Sequence, residues 1–251
     1  MAKQDGIIPI KGSIDKLSFY QTSDGYMARK RKSVDGSRIA KDPAYARTRE
    51  AMSNFGKAGT AGKLLRTALR PLAKQASDGK VVSRLVAQMV QVIKADQTNP
   101  RGKKNVIDGE TEKLKGFEFN ASGKLSITFA VQYETVLDRA TGTAQVKIPA
   151  FIPADMVTAP YEATHMQVHI AGLEVDFEQQ TYVAQFKSSE QLPLGETQQP
   201  AIDLSVTLPA GSAHPLFLAM AITFSTEDLG VYYPLKNGAH NALAIVQVSG
   251  V

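Results

Sequence analysis

Apolar residues along the chain follow two different periods, and the change falls near residue 113. In the first stretch they recur at intervals of three and four. Leu64, Leu65, Ala68, Leu69 and Leu72 mark one amphipathic helical segment, and Val81, Val82, Leu85, Val86, Met89, Val90 and Ile93 mark another. An earlier helix begins at Asp42-Pro43, where an N-cap acid precedes proline at the first helical position. Ala44, Ala51, Met52 and Phe55 supply its apolar side. Pro71 kinks or ends the following segment, Asp78-Gly79 breaks the chain again, and Asn99-Pro100-Arg101-Gly102 closes the helical region.

Beyond residue 113 the period is two. Phe117/Phe119, Leu125/Ile127/Phe129/Val131/Tyr133, Val146/Ile148, Met166/Val168/Ile170 and Val175/Phe177 alternate with polar residues. Tyr182/Ala184/Phe186, Ile202/Leu204/Val206/Leu208, Ile222/Phe224 and Leu243/Ile245 continue the pattern, with turns at Asn120–Gly123 and Thr141-Gly142. Many short strands separated by turn signals predict an antiparallel β-sandwich. Residues 14–32 read as a β-hairpin turning at Ser23-Asp24-Gly25, and Gly36 marks a loop after it. The expected fold is α+β: an N-terminal β-hairpin plus two or three helices, followed by an antiparallel β-sandwich, whose sheet the hairpin either joins or stands apart from. The expected division is 1–110, a basic hairpin and helical region, and 111–251, an acidic sandwich domain.

Charge sharpens that division. Residues 1–110 hold 22 Lys+Arg against 10 Asp+Glu, and residues 111–251 hold 7 against 14. A basic half calls for a polyanion, an acidic protein, or the acidic half of a second copy. Hydrophobic content of 43% and charged content of 21% belong to a folded globular chain of 251 residues, so a large core is affordable. The absence of cysteine removes disulfides, thiolate nucleophiles and cysteine-ligated metals. Met1–Lys16 lacks the apolar core of a secretory signal, and Leu216–Ile222 is too short to span a bilayer, so a protein that stays in the cytoplasm, or in a particle assembled there, is expected.

Candidate chemistry is sparse. Gly56, Gly59 and Gly62 followed by Lys63 suggest a phosphate loop. However, the spacing has one residue too many for a P-loop, Lys57 stands where glycine is needed, and Leu64 replaces Ser/Thr. The ladder is then either a small-residue face of one continuous helix or a glycine-rich joint between two. His165 and His169 have helical metal-ligand spacing but lie in a strand pattern, where they stand roughly 13 Å apart. No nucleophile elbow accompanies any serine. No catalytic residue, metal site or cofactor is therefore expected. Candidate contact residues are Arg29, Lys30, Arg31, Lys32, Arg47, Arg49, Lys63, Arg66 and Arg70, the three glycines, and an acidic strip of Glu174, Asp176 and Glu178 on one strand face.

Residues 17–59 (LSFYQTSDGYMARKRKSVDGSRIAKDPAYARTREAMSNFGKAG), together with KGFEFN and YYPLKNGAHNALAIVQV, resemble a group of bacterial proteins of similar length with no assigned activity. The resemblance covers most of the chain and implies that the helical and β parts belong together; it implies no site residue. The expected function is a non-enzymatic structural subunit that self-assembles head-to-tail into a filament, tube or phage-like particle. Its basic residues, and strand-like ends at Gly6–Ile10 and Ala242–Val248, would meet another copy. The alternative is a nucleic-acid-binding module using the same basic N-terminal region.

Overall fold

Four hydrogen-bonded strands near the N-terminus form the first sheet of the computed structural model, which describes residues 2–4, 6, 8–30, 35–236 and 238–250. They are β1 (Ala2–Lys3), β2 (Gly12–Ile14), β3 (Leu17–Thr22) and β4 (Gly25–Lys30), in the order β1-β4-β3-β2, all antiparallel. β3 and β4 meet through the tight turn at Gly25, whose φ of +112° favours glycine. Asp35 then caps a short helix, α1 (Gly36–Lys41), through its side chain and the Ser37 N–H, so the stretch expected to be a loop is helical. Asp42 caps the 3-10 turn Pro43–Tyr45 in the same way. Gly6 and Ile8 lie in bends, so Gly6–Ile10 does not supply the strand end expected of it.

The chain divides into two compact units, Met1–Arg49 and Glu50–Val251. None of the described residues of the first unit is buried. The second unit holds both hydrophobic cores.

In the second unit the helices are α2 (Ala46–Ala68), which begins just before the unit boundary, α3 (Arg70–Ala76) and α4 (Val81–Ala95). α2 runs unbroken through all three glycines. Leu69 N–H still bonds Leu65 O, and Pro71 sits in the first turn of α3, where a missing donor costs least. Two brief helical turns follow, α5 (Leu125–Thr128) and α6 (Pro153–Met156). The Leu125/Ile127/Phe129 alternation was expected to be a strand; here it is a helical turn, because Leu125 N–H bonds the Glu118 carboxylate and Thr128 Oγ1 donates to His240 O.

A six-stranded antiparallel sheet is built on two long strands, β7 (His165–Asp176) and β11 (Leu216–Asp228). β8 (Thr181–Ser188) and β9 (Leu192–Pro193) pair with the outer side of β7; β12 (Val231–Leu235) and β13 (Ala242–Ser249) pair with the outer side of β11. A separate three-stranded sheet has the order β10 (Ile202–Thr207), β6 (Thr143–Ile148), β5 (Glu134–Asp138).

Side-chain direction on β7 and β11 explains the layering. Ala171, Leu173, Val175, Phe217, Ala219 and Ala221 face one core with Leu65, Leu69, Leu85, Met89 and Ile93 of the helices. Met166, Val168, Ile170, Leu218, Met220 and Ile222 face the other core with Val146, Ile148 and Leu204 of the smaller sheet. Each large aliphatic side chain so buried contributes roughly 1.5–3 kcal/mol. The six-stranded sheet is thus the middle of three layers, and helices α2 to α4 share its core. A division at residue 110 does not describe this packing, because the helices bury their apolar faces on β7, β11 and β13. The fold is α+β in the coarse sense of helices and antiparallel sheets from separate stretches of chain.

Candidate functional site

The helical cations expected to meet a partner come together on the helix layer. Lys63, Arg66 and Arg70 follow one face of α2 and α3 at intervals of three and four, and Lys74 extends the row by one turn. With Thr67 and Ser77 they line a hollow of about 430 Å³ that contains no acidic and no aromatic side chain. Thr67 Oγ1 and Ser77 Oγ donate to the carbonyls of Lys63 and Ala73. None of the four cations makes an ion pair or side-chain hydrogen bond among the described residues. The hollow therefore presents four uncompensated positive charges.

The glycine ladder separates into two roles. A Cβ on Gly62 would stand 3.5 Å from Leu85 Cγ and 3.8 Å from Met89 Cγ, so this glycine is where α4 packs on α2. Gly56 and Gly59 have nothing within 4 Å on that side, and Met52 and Phe55 beside them are 61% and 64% exposed. Among the remaining cations, Arg29 and Lys30 are exposed at the end of β4, with Arg29 over the Tyr20 ring at 5.5 Å. Arg47 is exposed on α2. Arg49 is occupied by its own chain, donating to Ile39 O at 2.7 Å and Asp42 O at 2.9 Å. Arg31 and Lys32 lie outside the described residues.

The acidic strip is shorter than expected. Glu174 and Asp176 share one face of β7 and line a hollow of about 310 Å³ with Thr181, Tyr182, Val183 and His214. β7 ends at Asp176, and Glu178 belongs to the following turn, its N–H bonded to Asp176 Oδ1 at 2.8 Å. Glu174 accepts from Ser212 Oγ, and Asp176 Oδ2 lies 3.7 Å from His214 Nε2. Glu174 and Asp176 project from the side of β7 opposite the helices, so the basic and acidic hollows lie on opposite layers of one unit.

A hollow of about 640 Å³ opens against the smaller sheet between Tyr133, Glu134, Lys147, Ile148, Ile202 and Asp203. Burial, and then the nearby Glu118 carboxylate, push the Tyr133 phenol up. No histidine, serine or threonine lines this hollow, so it holds no hydroxyl–imidazole pair. His169 is buried between Ser188 Oγ at 2.7 Å and Thr223 Oγ1 at 2.8 Å; burial lowers its pKa to about 4, and no carboxylate orients it. Among the described residues no three His, Asp or Glu side chains are placed to hold a metal ion, and no helix is long and apolar enough to cross a membrane.

Sheet edges escape the sequence reading altogether. Ala242–Val248, expected as a free end, is β13, paired with β11 on one side and bonded to Gly116–Phe119 on the other. In the six-stranded sheet β8 and β12 end the row, each paired on one side only among the described residues. β8 carries the exposed Tyr182, Val183 and Phe186, and β12 carries Val231, Tyr232 and Tyr233. Their signal in the sequence is the aromatic and β-branched run placed directly after a turn, in TYVAQF and VYY. The chain matches no protein-family model, no curated protein and no solved structure.

Proposed function

We propose that the chain is a non-enzymatic structural subunit that assembles with copies of itself, head-to-tail, into a filament, tube or phage-like particle. One observation carries the reading: the N-terminal sheet has strands and register but no buried side chain. Ile14 and Leu17 stand opposite each other on it, 58% and 45% exposed, with Phe19 on the same face. A sheet without a covered apolar face is marginal alone in water, and a surface supplied by a second copy would cover it.

Charge points to a second copy as the occupant. Residues 1–49 hold 11 Lys+Arg against 5 Asp+Glu, whereas residues 111–251 hold 7 against 14. A basic N-terminal unit meeting an acidic sheet layer of another copy is a contact between unlike surfaces, which closes into a ring or propagates as a helix. The edges β8 and β12 add backbone donors and acceptors at opposite ends of the central sheet, so strand pairing would run in the same head-to-tail sense.

Sedimentation velocity and negative-stain microscopy of the full chain test this directly. Large particles are expected at low ionic strength, with Ile14→Asp and Leu17→Asp shifting material to monomer. A monomer that persists at high concentration and low salt overturns the reading.

A further inference from the structure

We propose that the hollow on α2 and α3 binds the phosphodiester backbone of a nucleic acid, independently of the subunit contacts above. Its lining is unbalanced: Lys63, Arg66, Arg70 and Lys74 with no acid among them and, among the described residues, no ion pair to any. A fold does not gain stability from four like charges gathered in one concavity, since their mutual repulsion opposes the compact state. Positioned cations without internal partners are the arrangement expected of an anion site.

The ligand's size follows from the row's length. Lys63 to Lys74 spans eleven residues, about 16 Å of helix, so the charges reach well beyond one phosphate and match a run of several. The nature of the contact follows from what is missing. No aromatic side chain lines the hollow, so bases have no stacking platform there, and the Thr67 and Ser77 hydroxyls are already donated to backbone carbonyls. Recognition therefore falls on phosphate charge and carries no base sequence. Two arginines in the row supply planar forks that suit phosphate oxygens. The acidic hollow of another copy is the competing occupant, but its carboxylates already accept hydrogen bonds from their own chain, Glu174 from Ser212 Oγ and Asp176 from the N–H groups of Glu178 and Gln179.

Fluorescence anisotropy of the full-length protein with labelled single- and double-stranded DNA of about 20 nucleotides tests the site. With four contacts, raising salt from about 50 to 200 mM should weaken binding ~50-fold for the single strand and ~150-fold for the duplex. Arg66→Glu/Arg70→Glu should cost at least ~10-fold at the lower salt and reduce the salt slope by about two contacts. Lys115→Glu/Lys236→Glu, which reverses two exposed cations elsewhere, should change neither. Thermal melts confirm folding; if the double reversal melts early, Arg66→Gln and Arg70→Gln singly carry the test. The proposal is overturned if DNA fails to bind at low salt, or if the reversed protein binds as tightly as the native one. It is equally overturned if tripolyphosphate binds while DNA does not, or if the reversal alters only sedimentation.

Discussion

The guanidinium of Arg84 lies 2.6 Å from the Asp78 carboxylate while the same side chain donates to the carbonyls of Glu118 at 2.6 Å and Phe119 at 3.0 Å. Asp78 in turn accepts the N–H groups of Lys80 at 2.7 Å and Ala121 at 2.8 Å. One half-buried pair thus fastens α4 to the segment that covers the outer edge of β13. Burial opposes the Asp78 charge, but the Ala121 and Lys80 N–H groups and Arg84 outweigh it and hold the carboxyl below its usual range. Arg84→Ala takes the guanidinium from the Glu118 carbonyl and from Asp78, whereas Phe119 O keeps the Asp78 N–H and the Asp78 carboxylate keeps two N–H groups, so a loss of ~1–3 kcal/mol is expected in urea unfolding. Arg84→Lys should recover only part of it, because an ammonium cannot reproduce the fork. The stability that Asp78 contributes is present above its unfolded pKa and lost as pH falls through its lower folded value. Removing Arg84 should move that acid loss to higher pH.

His169 loses stability in the same direction of pH, but from burial of an imidazole. Its folded pKa is about 4, below the 6.5 of a free imidazole, so the folded state binds fewer protons than the unfolded chain between those values. Stability is complete above about pH 6.5 and declines as pH falls toward 4. Between pH 7 and 5 the decline attributable to this residue is ~2 kcal/mol. A His169→Gln protein, unable to titrate, should show a flatter thermal midpoint across that interval; an unchanged slope would assign the loss to other groups.

The glycines predict opposite responses from one residue type. Gly56→Ala and Gly59→Ala, on an open helix face, should each stabilise by up to ~1 kcal/mol through helix propensity. At Gly172 a Cβ would stand 2.7 Å from Val206 Cγ2 and 3.2 Å from Ala144 Cβ, where β10 and β6 sit on β7. At Gly142 it would lie 2.1 Å from Leu208 O, at a φ of +73°. Gly172→Ala and Gly142→Ala should each destabilise, on the order of 1–3 kcal/mol, measured by chemical unfolding.

These responses show what periodicity can and cannot reveal. The row Lys63, Arg66, Arg70 was legible because helical spacing places residues three and four apart on one face, whatever the tertiary fold. The strands around Met166, Tyr182, Ile202 and Leu243 were legible for the same local reason. What a face meets is not local. Leu216 to Ser225 is buried at every position because helices cover one side of β11 and the smaller sheet the other, so alternation fades where the sheet is most central. Leu125–Phe129 alternates yet turns helical, since a carboxylate seven residues earlier and a carbonyl from His240 capture its polar groups. Asp35 capping α1 was equally out of reach, because the cap and the loop reading differ only in where one side chain points.

Edge strands give the last prediction. Each of β8 and β12 shows exposed aromatic side chains beside an unpaired backbone edge, the combination that natural sheets usually blunt with charge. β8 has a lysine at its end, Lys187, and β12 has Pro234, which removes one donor, so both edges are partly guarded against unrestricted pairing. That leaves Tyr182–Phe186 and Val231–Tyr233 as the stretches able to accept a neighbour's strand. Phe186→Lys and Tyr233→Lys place a cation in each stretch at positions 39% and 55% exposed, where the monomer should lose no more than about 0.5 kcal/mol. If strand pairing propagates the polymer, either substitution alone should cap growth, and a mixture of the two proteins should form dimers through the one intact edge on each. Sedimentation equilibrium reads this outcome. Polymers as long as those of the native chain from both variants would place the contact on the N-terminal sheet instead, and Ile14→Asp would then be the variant that disassembles them.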